Sequence, residues 1–238
     1  MVISFVSLKG GVGKSVVAMN LAYQLSLDNK VLLIDTTQQN ALSFFMCKKI
    51  RAGFSEVVLD KKTVQNVIEK IDKNLFFIPA GFSVYEDAIE YEKNFTNVNI
   101  KEILIKIKNE YDFIIFDSQA MISKPLFTLI NNSDKYFYIS TPTPDSVVSL
   151  KFFTDNYKNL KEKCEVLVNM MRPDSLNEDF YSYIQAVTKN NIIATLPYDR
   201  AVSESIGNCE FVYNFDRDSA FVYNVEKICK KLTQTDEI

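Results

Sequence analysis

Lys9-Gly10-Gly11-Val12-Gly13-Lys14-Ser15 follows the short apolar run Val2-Ile3-Ser4-Phe5-Val6 and precedes a helical pattern that opens near Val16. Strand, glycine-rich turn and helix form the context that a phosphate-binding loop requires. Glycines at 10, 11 and 13 let the backbone turn tightly and aim its N–H groups inward with no Cβ in the way. The helix N-terminus behind the loop adds partial positive charge. Gly10, Gly11, Val12, Gly13, Lys14, Ser15 and Val16 are therefore the candidate cradle. Lys14 is expected to reach the β- and γ-phosphates of a nucleotide, and Ser15 to offer its hydroxyl to Mg²⁺. The pattern G-x-x-x-x-G-K-[ST] is not fully met, because Leu8 stands where its first glycine would be. The loop carries instead a second lysine, Lys9, ahead of its first glycine.

Outward from the loop, the spacing of Val17, Leu21 and Leu25 predicts a helix over 16–27. Val31-Leu32-Leu33-Ile34 is a continuous apolar run ending at Asp35, as expected of a strand buried on both faces of a parallel sheet. Ligand residues in such sheets sit just beyond the strands' carboxyl ends, which puts Asp35-Thr36-Thr37-Gln38-Gln39-Asn40 in position to meet the phosphates. Tyr111-Asp112-Phe113-Ile114-Ile115-Phe116-Asp117 repeats the theme as a Walker B pattern, with Asp117 expected to hold Mg²⁺ through water, opposite Ser15. Further strands are expected at 75–79, 135–140, 166–169 and 192–196. Short helices are expected at 54–59 and 64–71, and longer ones at 100–107, 145–157, 177–189 and 219–232. The segment 82–95, with Tyr85, Glu86, Asp87, Glu90, Tyr91 and Glu92, reads either as a docking surface or as a solvated helix with its aromatics turned inward.

Composition narrows the possibilities. With 238 residues the chain has room for a single α/β domain, 1–238, and a hydrophobic share of 47% fills its core. No apolar run approaches the roughly 20 residues needed to span a bilayer. The N-terminus has no basic region before its apolar run, so no signal peptide is expected there. Cys47, Cys164, Cys209 and Cys229 form no C-x-x-C pair and read as reduced thiols of a cytoplasmic protein. The absence of histidine removes His-based triads and most catalytic zinc sites. A net charge of −3 supplies no global field for nucleic acid.

The double-lysine loop resembles the deviant Walker A motif of the ParA/MinD family of ATPases. The resemblance extends through the Y-D-F-I-I phrasing before Asp117 and through 166–205. It implies a doubly wound, mostly parallel α/β sheet of about seven or eight strands with helices on both faces. It also implies that Lys9 reaches across a homodimer to the ATP held by the other subunit. Asn169 falls where the family reads the adenine amino group, a task an amide side chain suits. Pro197 and Asp199 lie in a stretch that resembles the family's adenine border. Lys9, Lys14 and Asp35 are the candidate catalytic residues, and Ser15 and Asp117 the candidate Mg²⁺ ligands.

Two departures stand out. In the family's D-x-D-P-Q-x-N motif, Asp35 matches the first aspartate, and Thr37 stands where the second should help activate water. A threonine hydroxyl holds a water but does not take its proton at neutral pH, which implies slow or absent hydrolysis with intact binding. The rival expectation is that Gln38 or Gln39 orients the water. After Asp117 the family continues Thr-Pro-Pro, whereas this chain has Ser118-Gln119-Ala120.

For partners, the tail lacks the basic amphipathic helix by which MinD-type members lie on membranes, so no direct membrane anchor of that kind is expected. From Arg200 onward five basic residues face seven acidic ones, which leaves non-specific DNA binding to a local patch such as Lys227, Lys230 and Lys231. Two readings remain open. One is an ATP-driven switch that positions cargo and is dismantled by a partner protein that stimulates hydrolysis. The other is a non-hydrolysing, ATP-dependent scaffold that recruits a pilus, flagellar or division component.

Overall fold

The apolar run after Met1 forms β1 (Val2–Val6), and the rest of the sheet is assembled on either side of it. The computed structural model describes residues 1–47, 52–81, 85–157, 163–189 and 191–234. The further strands are β2 (Val31–Asp35), β3 (Glu69–Lys70), β4 (Leu75–Ile78), β5 (Phe113–Asp117), β6 (Lys135–Ser140), β7 (Cys164–Met171) and β8 (Ile192–Pro197). They form one eight-stranded sheet in the order β3-β4-β2-β5-β1-β6-β7-β8. Every pairing is parallel except β3 with β4. In register, Asp117 lies beside Phe5 on one neighbour and Asp35 on the other, so the ends of β1, β2 and β5 share one edge. This is the doubly wound, mostly parallel α/β architecture expected from the sequence.

The helices are α1 (Lys14–Ser26), α2 (Ala41–Cys47), α3 (Phe54–Val58), α4 (Tyr85–Asn94), α5 (Asn97–Ile107), α6 (Lys124–Asn132), α7 (Pro144–Asn156), α8 (Ser175–Thr188), α9 (Arg200–Gly207), α10 (Val212–Phe215) and α11 (Ala220–Thr233). Alternating strand residues serve opposite faces. Leu33, Ile115, Phe137 and Leu167 pack against Val17, Leu21 and Leu25 of α1 and against Phe221, Val225 and Ile228 of α11. Leu32, Ile34, Ile114 and Phe116 pack on the other side against Ile100, Ile103, Leu104 and Ile107 of α5. Those four recur at helical spacing behind an N-cap at Thr96, whose hydroxyl accepts from Asn99 N. Each such side chain, taken from water to the core, contributes about 1.5–3 kcal/mol. A third cluster closes the far end of the sheet, with Tyr136, Tyr138 and Val168 under Leu126, Leu150, Phe153 and Ile184.

The region 64–71 differs from its expectation. It begins as a 3₁₀ turn, Val64–Val67, and then leaves the helical path to become β3. Val64 and Val67 are both buried at a spacing of three, which one 3₁₀ turn satisfies. Glu69 and Lys70 then pair with Phe77 and Phe76, covering the open edge of β4 with a short charged strand. In the acidic segment, Tyr91 of α4 and Phe95 just beyond it are buried, as the solvated-helix reading requires. Residues 82–84, and the tail from 235, lie outside the described residues.

Candidate nucleotide cleft

The turn between β1 and α1 is held from below. Ser7 Oγ donates to Lys9 O and accepts from Lys9 N, both at 3.1 Å, and Leu8 N donates to Tyr138 Oη at 3.3 Å. Burial pushes the Tyr138 hydroxyl up to about 12, so it stays a neutral support. Gly11 and Gly13 adopt φ of 77° and 83°, a region that L side chains enter at a cost. A Cβ on Gly13 would also collide with Asn169 Nδ2. Gly13 caps α1 without a side chain. The first N–H groups of that helix therefore remain available to an anion.

The loop forms one wall of a cleft of about 460 Å³. Lys9 to Val16 line it on that side, and Thr37, Gln38, Gln39, Ser118, Gln119, Ala120 and Met121 complete the lining. Lys14 is buried and donates from Nζ to Asp117 Oδ1 at 3.0 Å. Asp117 Oδ2 is buried with no hydrogen-bond partner among the described residues. A buried carboxylate oxygen without a donor is costly. A water of a hydrated Mg²⁺ held between phosphates and this strand end would satisfy it. Among the described residues no cluster of three acidic, cysteine or histidine side chains is built to hold a metal by itself. The donor set thus fits a Mg²⁺ that arrives with phosphates.

Asp35 departs from its expected place at the cleft surface. It is fully buried behind Thr37, and among the described residues its carboxylate accepts from Thr37 and Ser43. Oδ1 accepts from Thr37 N at 2.8 Å and Thr37 Oγ1 at 2.7 Å, and Oδ2 accepts from Ser43 N at 3.0 Å and Ser43 Oγ at 2.7 Å. Burial first, and then the charge of Asp117, push its carboxyl up to about 6 against those bonds. Ser43 Oγ also accepts from Ala80 N at 2.8 Å, which ties this network to the end of β4. Ser43 lies eight residues beyond Asp35, at no spacing that a sequence motif marks. On the other strand end, Thr36 N and Thr36 Oγ1 donate to Asp117 O at 3.0 and 2.7 Å, and Ser118 Oγ donates to Phe5 O at 2.7 Å.

Lys9 lines the cleft, but its charge is engaged outside the phosphate loop. Its Nζ pairs with Asp145 Oδ2 at 3.1 Å, at the start of α7, with side chains 41% and 59% exposed. The Thr143 hydroxyl, followed by Lys9, holds the Asp145 carboxyl below its ordinary value. The sequence reading passed over Asp145 except as a helix start. Its signal was its place in the first turn of a helix, directly after Pro144.

A smaller, mostly apolar recess lies behind the loop, lined by Gly13, Val16, Asn169, Pro197, Tyr198, Val202 and Phe221 among others. Asn169 and Pro197 thus come together with the loop. Asn169 Nδ2 donates to Val12 O at 2.8 Å, so the amide braces the loop. Asp199 also borders the recess, but its carboxylate is engaged elsewhere. It caps α9 through Ala201 N at 2.9 Å and reaches α11 through Ser219 Oγ at 2.7 Å and Phe221 N at 3.3 Å. Burial opposes its ionisation, yet the bonds from Ser219, Ala201 and Phe221 outweigh it and hold the carboxyl below its ordinary value.

A glycine-rich turn between the central strand and a helix with free N–H groups, facing an aspartate at the end of the adjacent strand, defines a phosphate-loop nucleotide-binding fold. A family described as an AAA domain matches residues 1–170, and the chain belongs to that family and is ParA/MinD-like. An uncharacterized protein of Methanocaldococcus jannaschii is 30% identical over 176 residues, 68% of this chain and 66% of that one. The chromosome-partitioning ATPase Soj of Treponema pallidum is 32% identical over 116 residues, 48% of this chain and 46% of its own length. The chain therefore matches just under two thirds of the first relative and less than half of the second. The septum site-determining protein MinD of Pyrococcus horikoshii OT3, solved with Mg-ADP, superposes with a TM-score of 0.81. It is 19% identical and covers 98% of this chain and 96% of that one, a likeness that speaks for the fold. No described helix is long and apolar enough to cross a membrane.

Proposed function

We propose that residues 1–238 act as one nucleotide-gated switch that binds Mg-ATP in this cleft and pairs with a second copy around two nucleotides. The loop N–H groups and Lys14 would take the phosphates, with Lys14 leaving Asp117 to do so. Ser15 and Asp117 would hold Mg²⁺, which neutralises charge developing between the β- and γ-phosphates. Asn169 and Pro197 would border the base. The observation that carries the reading is the position of Lys9 on the rim. Its partner Asp145 is an exposed carboxylate, and solvent screens such a surface pair, so the lysine is readily released toward another molecule.

Hydrolysis is expected to be slow, because Thr37 offers a hydroxyl where a carboxylate would take a proton. A switch of this kind would position cargo, a plasmid, a chromosome segment or another cell structure, and a partner protein would speed its release. The test measures mass by light scattering with Mg-AMPPNP and with Mg-ADP, for the natural chain and for Lys9→Ala. The expected result is a dimer only with the triphosphate analogue and only when Lys9 is present. A chain that stays monomeric with saturating Mg-AMPPNP, and behaves the same without Lys9, would refute the proposal.

A further inference from the structure

We infer that Thr37 replaces the missing carboxylate as the hydrogen-bond acceptor for the attacking water, and that Asp35 is the positioning residue that fixes it in this polarity. The inference rests on the cleft being an ATP site. A threonine hydroxyl has one proton and two lone pairs, and in general it turns to suit its neighbours. Here it has no such freedom. Thr37 Oγ1 donates its only proton to Asp35 Oδ1 at 2.7 Å, and Thr37 N donates to the same oxygen at 2.8 Å. A hydroxyl-to-carboxylate bond in a buried site is among the stronger kinds, so turning the proton away breaks a strong contact. Asp35 is itself clamped by Ser43 N and Ser43 Oγ, and Ser43 Oγ by Ala80 N.

The lone pairs of Thr37 Oγ1 are engaged by no donor among the described residues. Thr37 lines the same cleft as Gly13, Lys14 and Ser15, the residues that would meet the phosphates. A water between them meets an obligate acceptor at 37. Gln38, Gln39 and Gln119 line the same wall, but an amide carries both donor and acceptor and imposes no single polarity. An acceptor there turns one water proton toward Thr37 and the oxygen lone pair toward phosphorus. The water oxygen then bonds to the γ-phosphorus as the bond to the β–γ bridging oxygen breaks and its electron pair leaves with ADP. In such a loose transition state the water's proton is retained until the new phosphate takes it, so no side chain has to store it. Orientation without proton uptake predicts a rate that is slow and not zero.

The test follows turnover and equilibrium binding of Mg-ATP by the full chain, for Thr37→Ser and Thr37→Val. Serine keeps the hydroxyl and is expected to hold turnover within about threefold, whereas isosteric valine should lower kcat by about tenfold or more with ATP affinity unchanged. A merely structural role would move affinity and folding together with kcat. If valine prevents folding, Thr37→Ala takes its place with the same expectation. Turnover by the valine or alanine variant at the natural rate overturns the inference, as does a serine variant without activity. A natural chain that binds ATP with no turnover also overturns it, and leaves the nucleotide switch standing. A chain that binds no ATP fails the switch itself.

Discussion

Removing the charge of Lys14 while keeping its volume, as Lys14→Met, tests how the empty cleft is held together. Lys14 Nζ is the one described donor to the Asp117 side chain, at 3.0 Å, and both groups are buried. The second carboxylate oxygen already lacks a partner. Loss of the cation leaves a carboxylate at the centre of the sheet edge with neither oxygen bonded. Breaking a buried pair from one side costs about 3–5 kcal/mol, since the remaining charge is uncompensated. The expectation is a loss of about 3 kcal/mol in urea unfolding without nucleotide, at the lower end because the cleft admits water. The double variant Lys14→Met/Asp117→Asn removes the orphaned charge and should recover most of the loss, giving a coupling well above additivity. A single variant that loses less than about 1 kcal/mol, or a double variant less stable than the single, would refute the reasoning. A Lys14 variant chosen to abolish nucleotide binding therefore reports on folding as well.

Two further outcomes follow from neighbouring carboxylates. Asp35 titrates at about 6 in the fold against an ordinary 3.8, so the folded chain takes up this proton before the unfolded chain does. Stability should therefore rise as pH falls through 6 and level off below 3.8, with a ceiling of about 3 kcal/mol and a gain of about 1 kcal/mol between pH 7 and 5. Urea midpoints at the two pH values check it, and Asp35→Asn should remove this part of the slope. Asp199→Ala should cost about 2 kcal/mol by uncapping α9 and releasing α11, with ATP affinity unchanged in a nucleotide titration. A matching fall in affinity would return Asp199 to the list of nucleotide ligands.

What the sequence made legible was whatever a local pattern carries. The apolar runs ending at Asp35 and Asp117 announce strands buried on both faces, and the structure pairs those two residues in register. Gly11 and Gly13 announce backbone that only glycine adopts freely, and both have positive φ. The spacing of Ile100, Ile103, Leu104 and Ile107 announces the buried face of α5. Contacts that cross the chain left no such trace. Asn169 meets Val12 from 157 positions away, and Lys14 meets Asp117 from 103 positions away. The sequence could place each residue at a strand or helix end. It could not say which atom each would bond. Region 64–71 was misread for a related reason. Val64, Val67, Ile68 and Ile71 recur at helical spacing, yet the open edge of β4 draws Glu69 and Lys70 into a short edge strand.

The same distinction bears on how the departure at 37 is to be understood. From sequence alone, threonine in place of aspartate is a loss, because only the residue's own proton chemistry is visible. In the fold, Thr37 is one end of a chain of bonds that runs through Asp35 and Ser43 to Ala80 N at the end of β4. An aspartate at 37 would present a second carboxylate to an oxygen of Asp35 that now accepts a hydroxyl proton. Like charges so close cannot both ionise without cost. Restoring the family's residue therefore changes two things at once, the cleft's proton acceptor and the support behind it. Thr37→Asp should for this reason be made both alone and with Asp35→Asn. If turnover rises only in the pair, the two positions act as a unit, and the threonine is one half of an alternative arrangement rather than a defect in the usual one.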